Sequence, residues 1–365
     1  MQNIVRTTLA VSIALALTAC NHNDDAVVTT PSTLDMSGAA IKGALIDAKV
    51  QIYRASDTAF ATPLTTEPVD VQTDENGDYT AQIVDDTGVA IVGALIVKIT
   101  ADDDTTMRCD AAVTCADGTE RGKLIPNSEV LGLSLSTFTE AKVDETGKSL
   151  PVDADVNTFT SMATDAVLAQ VTANPAIKID DPASLKSLQQ NASLVVGKIL
   201  GVDLSTTNVF DIKIVDSTDT EAVAAAVTSA GSSATITNTL TSFNASFAAL
   251  TVEEDSSIAD TINSYVQTTA VVSSAVLKAV AKGESIANAL TSDQTILDAQ
   301  TALASAQTEI SAQATLIQST IKEAVESLPG EKIVFETVEI PAITPDIEID
   351  LGDIVVITGA TGGTN

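Results

Sequence analysis

Few residues in this chain have the type and spacing to do chemistry. The one histidine, His22, lies in the polar stretch Asn21–Ser37. A Ser-His-Asp or Cys-His arrangement needs an imidazole held by a rigid scaffold, so both are excluded, and histidine-based zinc sites fail for the same reason. No G-x-S-x-G occurs. Gly118-Thr119-Glu120-Arg121-Gly122-Lys123-Leu124 has the outline of a phosphate loop. Its glycines stand one residue too close, and Leu124 replaces the hydroxyl that would hold magnesium. Ser319-Thr320-Ile321-Lys322 has S-x-x-K spacing without the S-D-N and K-T-G elements of penicillin-binding enzymes, and reads as chance on a Ser-rich helix.

Carboxylates are the remaining resource. Two of them flanking a sugar could hydrolyse it. Sugar sites, however, lean on aromatic platforms, and the chain has three Tyr, seven Phe and no Trp. Asp102-Asp103-Asp104, with Asp110 and Asp117 close in sequence, could gather hard oxygens around calcium. A solvated acidic loop is the competing and favoured reading, and no other cofactor is expected. Asp74-Glu75-Asn76-Gly77-Asp78 carries its glycine at position four, where a calcium loop needs it at six, so a tight turn is expected there.

These groups must be positioned by a core without much aromatic mass. Hydrophobic residues make up 45% and charged residues 18% of the 365, enough apolar content for a packed body built from Ala, Val, Ile and Leu. From Gly38 to about Thr100 the pattern is β. Lys49–Arg54 alternates, with Val50 and Ile52 facing one way. Val69–Thr73 and Tyr79–Ile83 alternate likewise on either side of Asn76-Gly77, which suits a tight hairpin turn. Ile91–Ile99 is nearly continuous apolar, as in a strand buried on both faces. Leu131–Phe138 and Pro151–Val156 are further strand candidates.

The run Gly43-Ala44-Leu45-Ile46-Asp47-Ala48-Lys49-Val50-Gln51-Ile52-Tyr53, followed by Thr73-Asp74-Glu75-Asn76-Gly77-Asp78-Tyr79, resembles the carboxypeptidase regulatory-like domain family. The resemblance covers about 60 residues and implies a transthyretin-like, Greek-key β-sandwich. Such modules are accessories on secreted proteins, and no catalytic residue is carried across.

Beyond Asn157 the periodicity is helical. Thr158–Thr172 places Met162, Ala166, Leu168 and Ala169 as its apolar positions. Asp181-Pro182 opens a helix that Gly201 stops, by capping and first-turn preferences. Further helices are expected at Thr220–Ala230, Ala234–Leu250, Ser257–Lys282 and, unusually long, Ser285–Leu328. The last carries a stripe of Ile296, Ala299, Leu303, Ala306, Ile310, Ala314, Ile317, Ile321, Ala324 and Leu328 at three- and four-residue steps. Packing against Ser257–Lys282 as an antiparallel hairpin is favoured over oligomerisation, so a monomer is expected. Residues after Pro329-Gly330 return to β alternation, interrupted by Pro341 and Pro345.

At the N-terminus Arg6 precedes the apolar stretch Thr7–Thr18, the layout of a secretory signal and too short to span a hydrocarbon layer of about 30 Å. It ends in Leu17-Thr18-Ala19-Cys20, which resembles the lipobox of bacterial lipoproteins. The resemblance implies cleavage before Cys20 and diacylglycerol on its sulfur. With lipid on Cys20, Cys109 and Cys115 remain as an even pair for a disulfide in an oxidising compartment. The alternatives are an ordinary cleavage after Ala14-Leu15-Ala16, leaving Cys20 a free thiol, and two reduced thiols that ligate metal.

The mature chain would lose only Arg6, so 18 basic residues become 17 against 49 acidic ones, a formal charge of −32. Such a surface repels nucleic acid and anionic headgroups, so lipid rather than charge must hold it on a membrane. Asn21 replaces the Asp that resembles an inner-membrane retention signal, which favours the outer membrane, on the surface or the periplasmic face.

The expected fold class is therefore α+β and multi-domain: signal 1–19, lipidated tether 20–37, β-sandwich 38–157, helical domain 158–330, β-type tail 331–365. The expected role is a non-enzymatic envelope lipoprotein in adhesion, binding or envelope structure. A periplasm-facing binding or assembly factor for a partner protein is the alternative, and a carboxylate-based hydrolase the third.

Overall fold

The computed structural model describes residues 30–329. The signal segment, Cys20, His22 and the tail at 331–365 lie outside the described residues. The first half is β: β1 (Ser32–Ile41), β2 (Leu45–Ile46), β3 (Lys49–Arg54), β4 (Thr66–Glu67), β5 (Val71–Gln72), β6 (Asp78–Asp85), β7 (Gly93–Thr100), β8 (Thr106–Arg108), β9 (Leu124–Ile125), β10 (Ser134–Ala141), β11 (Val152–Asp153) and β12 (Val156–Asn157), with one short helix, α1 (Asn127–Val130). One sheet has the order β11-β1-β6-β4, with β12 also on β1. A second has β10-β7-β3-β5, and a small third has β2-β8-β9. Pairing is antiparallel except for β11 and β12, which run parallel to β1.

Two expectations are corrected here. The tether does not extend to Ser37, because β1 begins at Ser32. Leu34 and Met36 are buried between exposed Thr33, Asp35 and Ser37, a period-two signal inside a segment that reads as polar overall. The second concerns Asn76-Gly77. The turn forms as expected, with Gly77 at φ +81 and the Asp74 carboxylate accepting from the amides of Asn76 and Asp78. It closes no hairpin. β5 pairs with β3 in one sheet and β6 with β1 and β4 in the other, so the turn carries the chain between sheets.

The second half is helical: α2 (Thr158–Ala173), α3 (Pro182–Leu200), α4 (Thr220–Ser229), α5 (Ala234–Ser246), α6 (Ile258–Lys282), α7 (Ile286–Thr291) and α8 (Gln294–Glu326). Local chemistry sets the ends. The Asp181 side chain accepts from the Ser184 amide, Pro182 opens the first turn, and Gly201 ends the helix in the left-handed region. Ser257 and Asp260 form a reciprocal capping box on α6. The single helix expected over 285–328 is two. Asp293 takes an extended conformation and its side chain caps α8 by accepting from the Thr295 amide, which breaks the run after Ser292.

The stripe on α8 buries Ala299, Leu303, Ile310, Ala314, Ile317 and Ile321 as expected, then Val325 instead of Ala324. Its partners are α5 and α4 as well as α6. No helix among the described residues is long and apolar enough to cross a membrane.

The boundary at Asn157 separates strands from helices without separating cores. One apolar cluster runs from Leu34 and Met36 on β1, through Ile96 and Phe138, to Phe159, Phe243 and Ile310 in the helices. Phe159 lies 6.0 Å from Phe247, and Phe247 lies 4.9 Å from Tyr265, each measured between ring centroids. Pairs of this kind add about 0.5–1.5 kcal/mol beyond the area they bury. α5 is buried on every side from Thr237 to Ser246 despite its polar sequence. The Ser242 hydroxyl donates to the Asn238 carbonyl and the Ser246 hydroxyl to the Phe243 carbonyl. The helix backbone thus satisfies these two hydroxyls.

Candidate functional site

The chain's most unusual chemistry lies where β1 ends. Lys42 follows β1 and is wholly buried, as is Asp110 to within 1%. The Lys42 Nζ donates to both oxygens of the Asp110 carboxylate, at 3.1 and 3.4 Å. Burial lowers the Lys42 pKa and raises that of Asp110 to about 6, in each case by more than the partner's opposing charge restores. Asp216 acts on both and favours the protonated form of each.

Backbone contacts hold the pair from two sides. Gly43 has φ +62, and any Cβ there would collide with the Arg108 carbonyl. That close approach lets the Arg108 amide donate to the Ala44 carbonyl at 3.0 Å. Cys109 and Cys115 are joined in a disulfide whose Cα atoms lie 5.8 Å apart, fixing the segment that carries Asp110. A loop this short constrains the unfolded chain by roughly 2–2.5 kcal/mol on the loop-entropy estimate.

The disulfide loop is in turn bound to the helical half. One Arg121 guanidinium nitrogen donates to the carbonyls of Asp110 and Ala111, both at 2.7 Å, and its other terminal nitrogen donates to the Ser217 carbonyl at 2.5 Å. The Ser217 hydroxyl donates back to the Asp110 carbonyl at 2.8 Å. Asp216 accepts from the Thr218 amide and hydroxyl at 2.8 Å, and its other oxygen lies 3.6 Å from the Arg108 guanidinium. Asn244 on α5 donates to the Ile41 carbonyl at 3.1 Å and accepts from the Thr158 hydroxyl at 2.8 Å. Strands, disulfide loop and helices therefore converge on Ile41–Ala44.

A second polar feature is a cleft of about 300 Å³ lined by Phe60, Lys98, Ser136, Asp165 and Asn263 among others. Burial raises Asp165 to about 6, with Lys98 opposing. The folded chain keeps this proton between the ordinary carboxylate range and about pH 6, where the unfolded chain has lost it. Its stability contribution is thus full at acid pH and lost as pH rises through about 6. Asp155, also raised to about 6 chiefly by burial, acts in the same sense. Asp165→Asn removes one of these titrations. The variant is expected to be more stable than the parent at about pH 8 and to lose less stability between about pH 4 and pH 7. Urea midpoints across this range test it, and a parent–variant difference independent of pH would refute it.

The residues singled out from sequence fare differently. Asp102 closes a turn, its carboxylate accepting from the Thr105 hydroxyl at 3.0 Å and the Asp104 amide at 3.3 Å. Asp103 and Asp104 point to solvent, and Asp110 faces Lys42 instead of joining them. Among the described residues no group of three or more His, Cys, Asp or Glu gathers as metal ligands. Gly118–Leu124 forms the return arm of the disulfide loop. Its amides at Arg121, Gly122 and Lys123 donate to Val113, Cys109 and Glu120 carbonyls and present no phosphate cradle. Ser319 is exposed on α8 and donates to the Thr315 carbonyl. Sequence reasoning missed Lys42 and Asp216 altogether. The available signal was a lysine wedged between Ala39-Ala40-Ile41 and Gly43-Ala44-Leu45.

No family model, curated protein or solved structure matches the chain.

Proposed function

We propose that this chain is a lipid-anchored, non-enzymatic cell-envelope protein that serves in binding, adhesion or envelope structure. The observation that carries the reading is Leu17-Thr18-Ala19-Cys20 placed directly after the apolar stretch Thr7–Thr18. The cysteine count supports it, since the disulfide uses Cys109 and Cys115 and leaves Cys20 over. β1 begins at Ser32, so residues 21–31 are all that separates the anchor from it, a reach of at most about 40 Å. Such a body stays close to the membrane surface, and two or three acyl chains at ~0.8 kcal/mol per buried CH₂ suffice to keep it there. The two larger sheets are read as an accessory sandwich of Greek-key, transthyretin-like type on which the helices are packed.

The test is expression of the full chain in a bacterium that processes lipoproteins, beside Cys20→Ser. The parent is expected to take up labelled palmitate and to sediment with membranes. The variant is expected to do neither and to appear in the soluble fraction. A parent without lipid that fractionates as the variant does would refute the anchor. Biotin labelling of intact cells then separates an outward-facing protein from a periplasm-facing one.

A further inference from the structure

We propose that the Lys42 amine and the Asp110 carboxyl condense to an amide, an intramolecular isopeptide bond tying the end of β1 to the disulfide loop. The two residues are 68 apart in sequence and face each other with their side chains wholly or almost wholly out of water. Among the described residues every hydrogen-bond acceptor of the Lys42 Nζ belongs to this one carboxylate, so the carbon between those oxygens is the amine's immediate neighbour.

The step balances without any oxidant, reductant or activating group. A proton passes from the ammonium to the carboxylate and gives a neutral amine beside a carboxylic acid. The nitrogen lone pair attacks Cγ and forms the C–N bond. The C–OH bond breaks, and hydroxyl leaves as water with a proton from the nitrogen. One water is released for each bond made.

Three features favour that course. First, the dry environment favours the neutral forms. Both groups are shifted toward neutrality by desolvation; Asp216 favours the acid form of Asp110, from which water can leave, and opposes loss of the Lys42 proton by less than burial promotes it. Second, each reactant is held from the backbone. Lys42 is fixed by the Gly43 contact with Arg108 and by the Asn244 bond to Ile41. Asp110 is fixed by the disulfide, by Arg121 and by Ser217. Well-oriented neighbouring groups of this kind react with effective molarities of about 10⁵–10⁸ M. Third, a buried ion pair keeps much of its desolvation penalty, whereas an amide carries no charge. Exclusion of water also protects the product from hydrolysis.

The bond would close a covalent circuit with Cys109–Cys115, at the place where the strands meet the helical half. It is independent of the lipid anchor, and its failure would leave that reading untouched.

Peptide mapping of the natural full chain tests it directly. The protein is denatured, reduced, alkylated and cut with a protease that cleaves before aspartate. The expected product is a branched peptide joining 35–46 (DMSGAAIKGALI) to the peptide containing Asp110, lighter than the two together by one water. Fragmentation should place the branch on Lys42 and Asp110, and Lys42→Arg should lack it. Recovery of the two peptides only as separate linear species would overturn the proposal. So would a linear Asp110 peptide short of one water, which is a cyclic imide. The decisive measurement is on the unsubstituted protein, so a variant that fails to fold does not leave the question open.

Discussion

Asp110→Ala is expected to lower the unfolding free energy by about 3–5 kcal/mol, the cost of leaving one member of a buried pair without its partner. Among the described residues the Lys42 amine donates to no acceptor outside this carboxylate, and the side chain is wholly buried. The loss is a large share of a total stability of about 5–15 kcal/mol. Against a parent whose two side chains stay uncondensed, the double variant Lys42→Met with Asp110→Leu is expected to recover most of it, because apolar side chains of similar volume need no desolvation at this site; against a condensed parent it recovers only the ionic part. Denaturant unfolding of parent, single variants and double variant gives the coupling directly. A single-variant loss under 1 kcal/mol would mean that the pair is not buried as described. Where the amide has formed in the parent, the single variants also lose a covalent closure, so the drop sits at or above the upper end of that range.

The second large effect is expected at the junction of strands and helices. Phe159 occupies the first turn of α2, wholly buried, with its ring against Phe247 and that ring against Tyr265. Phe159→Ala is expected to cost about 3–5 kcal/mol, from lost transfer free energy and from the cavity that remains. The mode of unfolding is as informative as the magnitude. One apolar cluster joins β1, β7 and β10 to α2, α5, α6 and α8. The variant should therefore still unfold in a single transition, with the helical circular dichroism signal and tyrosine fluorescence falling together. Two separated transitions would divide the molecule at Asn157 and refute the shared core.

Much of the local structure was legible because it is decided within a few residues. Asp181, Pro182 and Gly201 bound α3 by capping chemistry and glycine's tolerance of positive φ, and the helix expected over Ser257–Lys282 matches α6 to within one residue. Alternation placed β3 and β6, and the continuous apolar run Ile91–Ile99 placed most of β7. The break at Asp293 was legible in principle, since aspartate caps helices well, but the continuous apolar stripe on either side masked it. The first half of β1 was lost for the opposite reason, its two buried side chains, Leu34 and Met36, being too few to stand out against polar neighbours.

The site was hardly legible. A lysine among small apolar residues is recognisable as odd, yet nothing local says that its partner is Asp110 rather than any of the other carboxylates. The Asp102–Asp104 cluster drew attention because its residues are adjacent in sequence, whereas Lys42, Asp110 and Asp216 meet only through the packing of β1, the disulfide loop and the segment before α4.

The sequence by itself determined the α+β division at Asn157, the ends of α3 and α6, the turn at Gly77 and the inventory of reactive side chains. Each depends on backbone preference, side-chain period or residue inventory, and these act over a few positions. Tertiary structure alone decided that the Gly77 turn crosses between sheets, that strands and helices share one core, that a polar helix such as α5 lies at its centre, and that one lysine faces one aspartate in the dry interior. These depend on which surfaces exclude water together. That is a property of the whole packed chain, because desolvation is set by every neighbour at once.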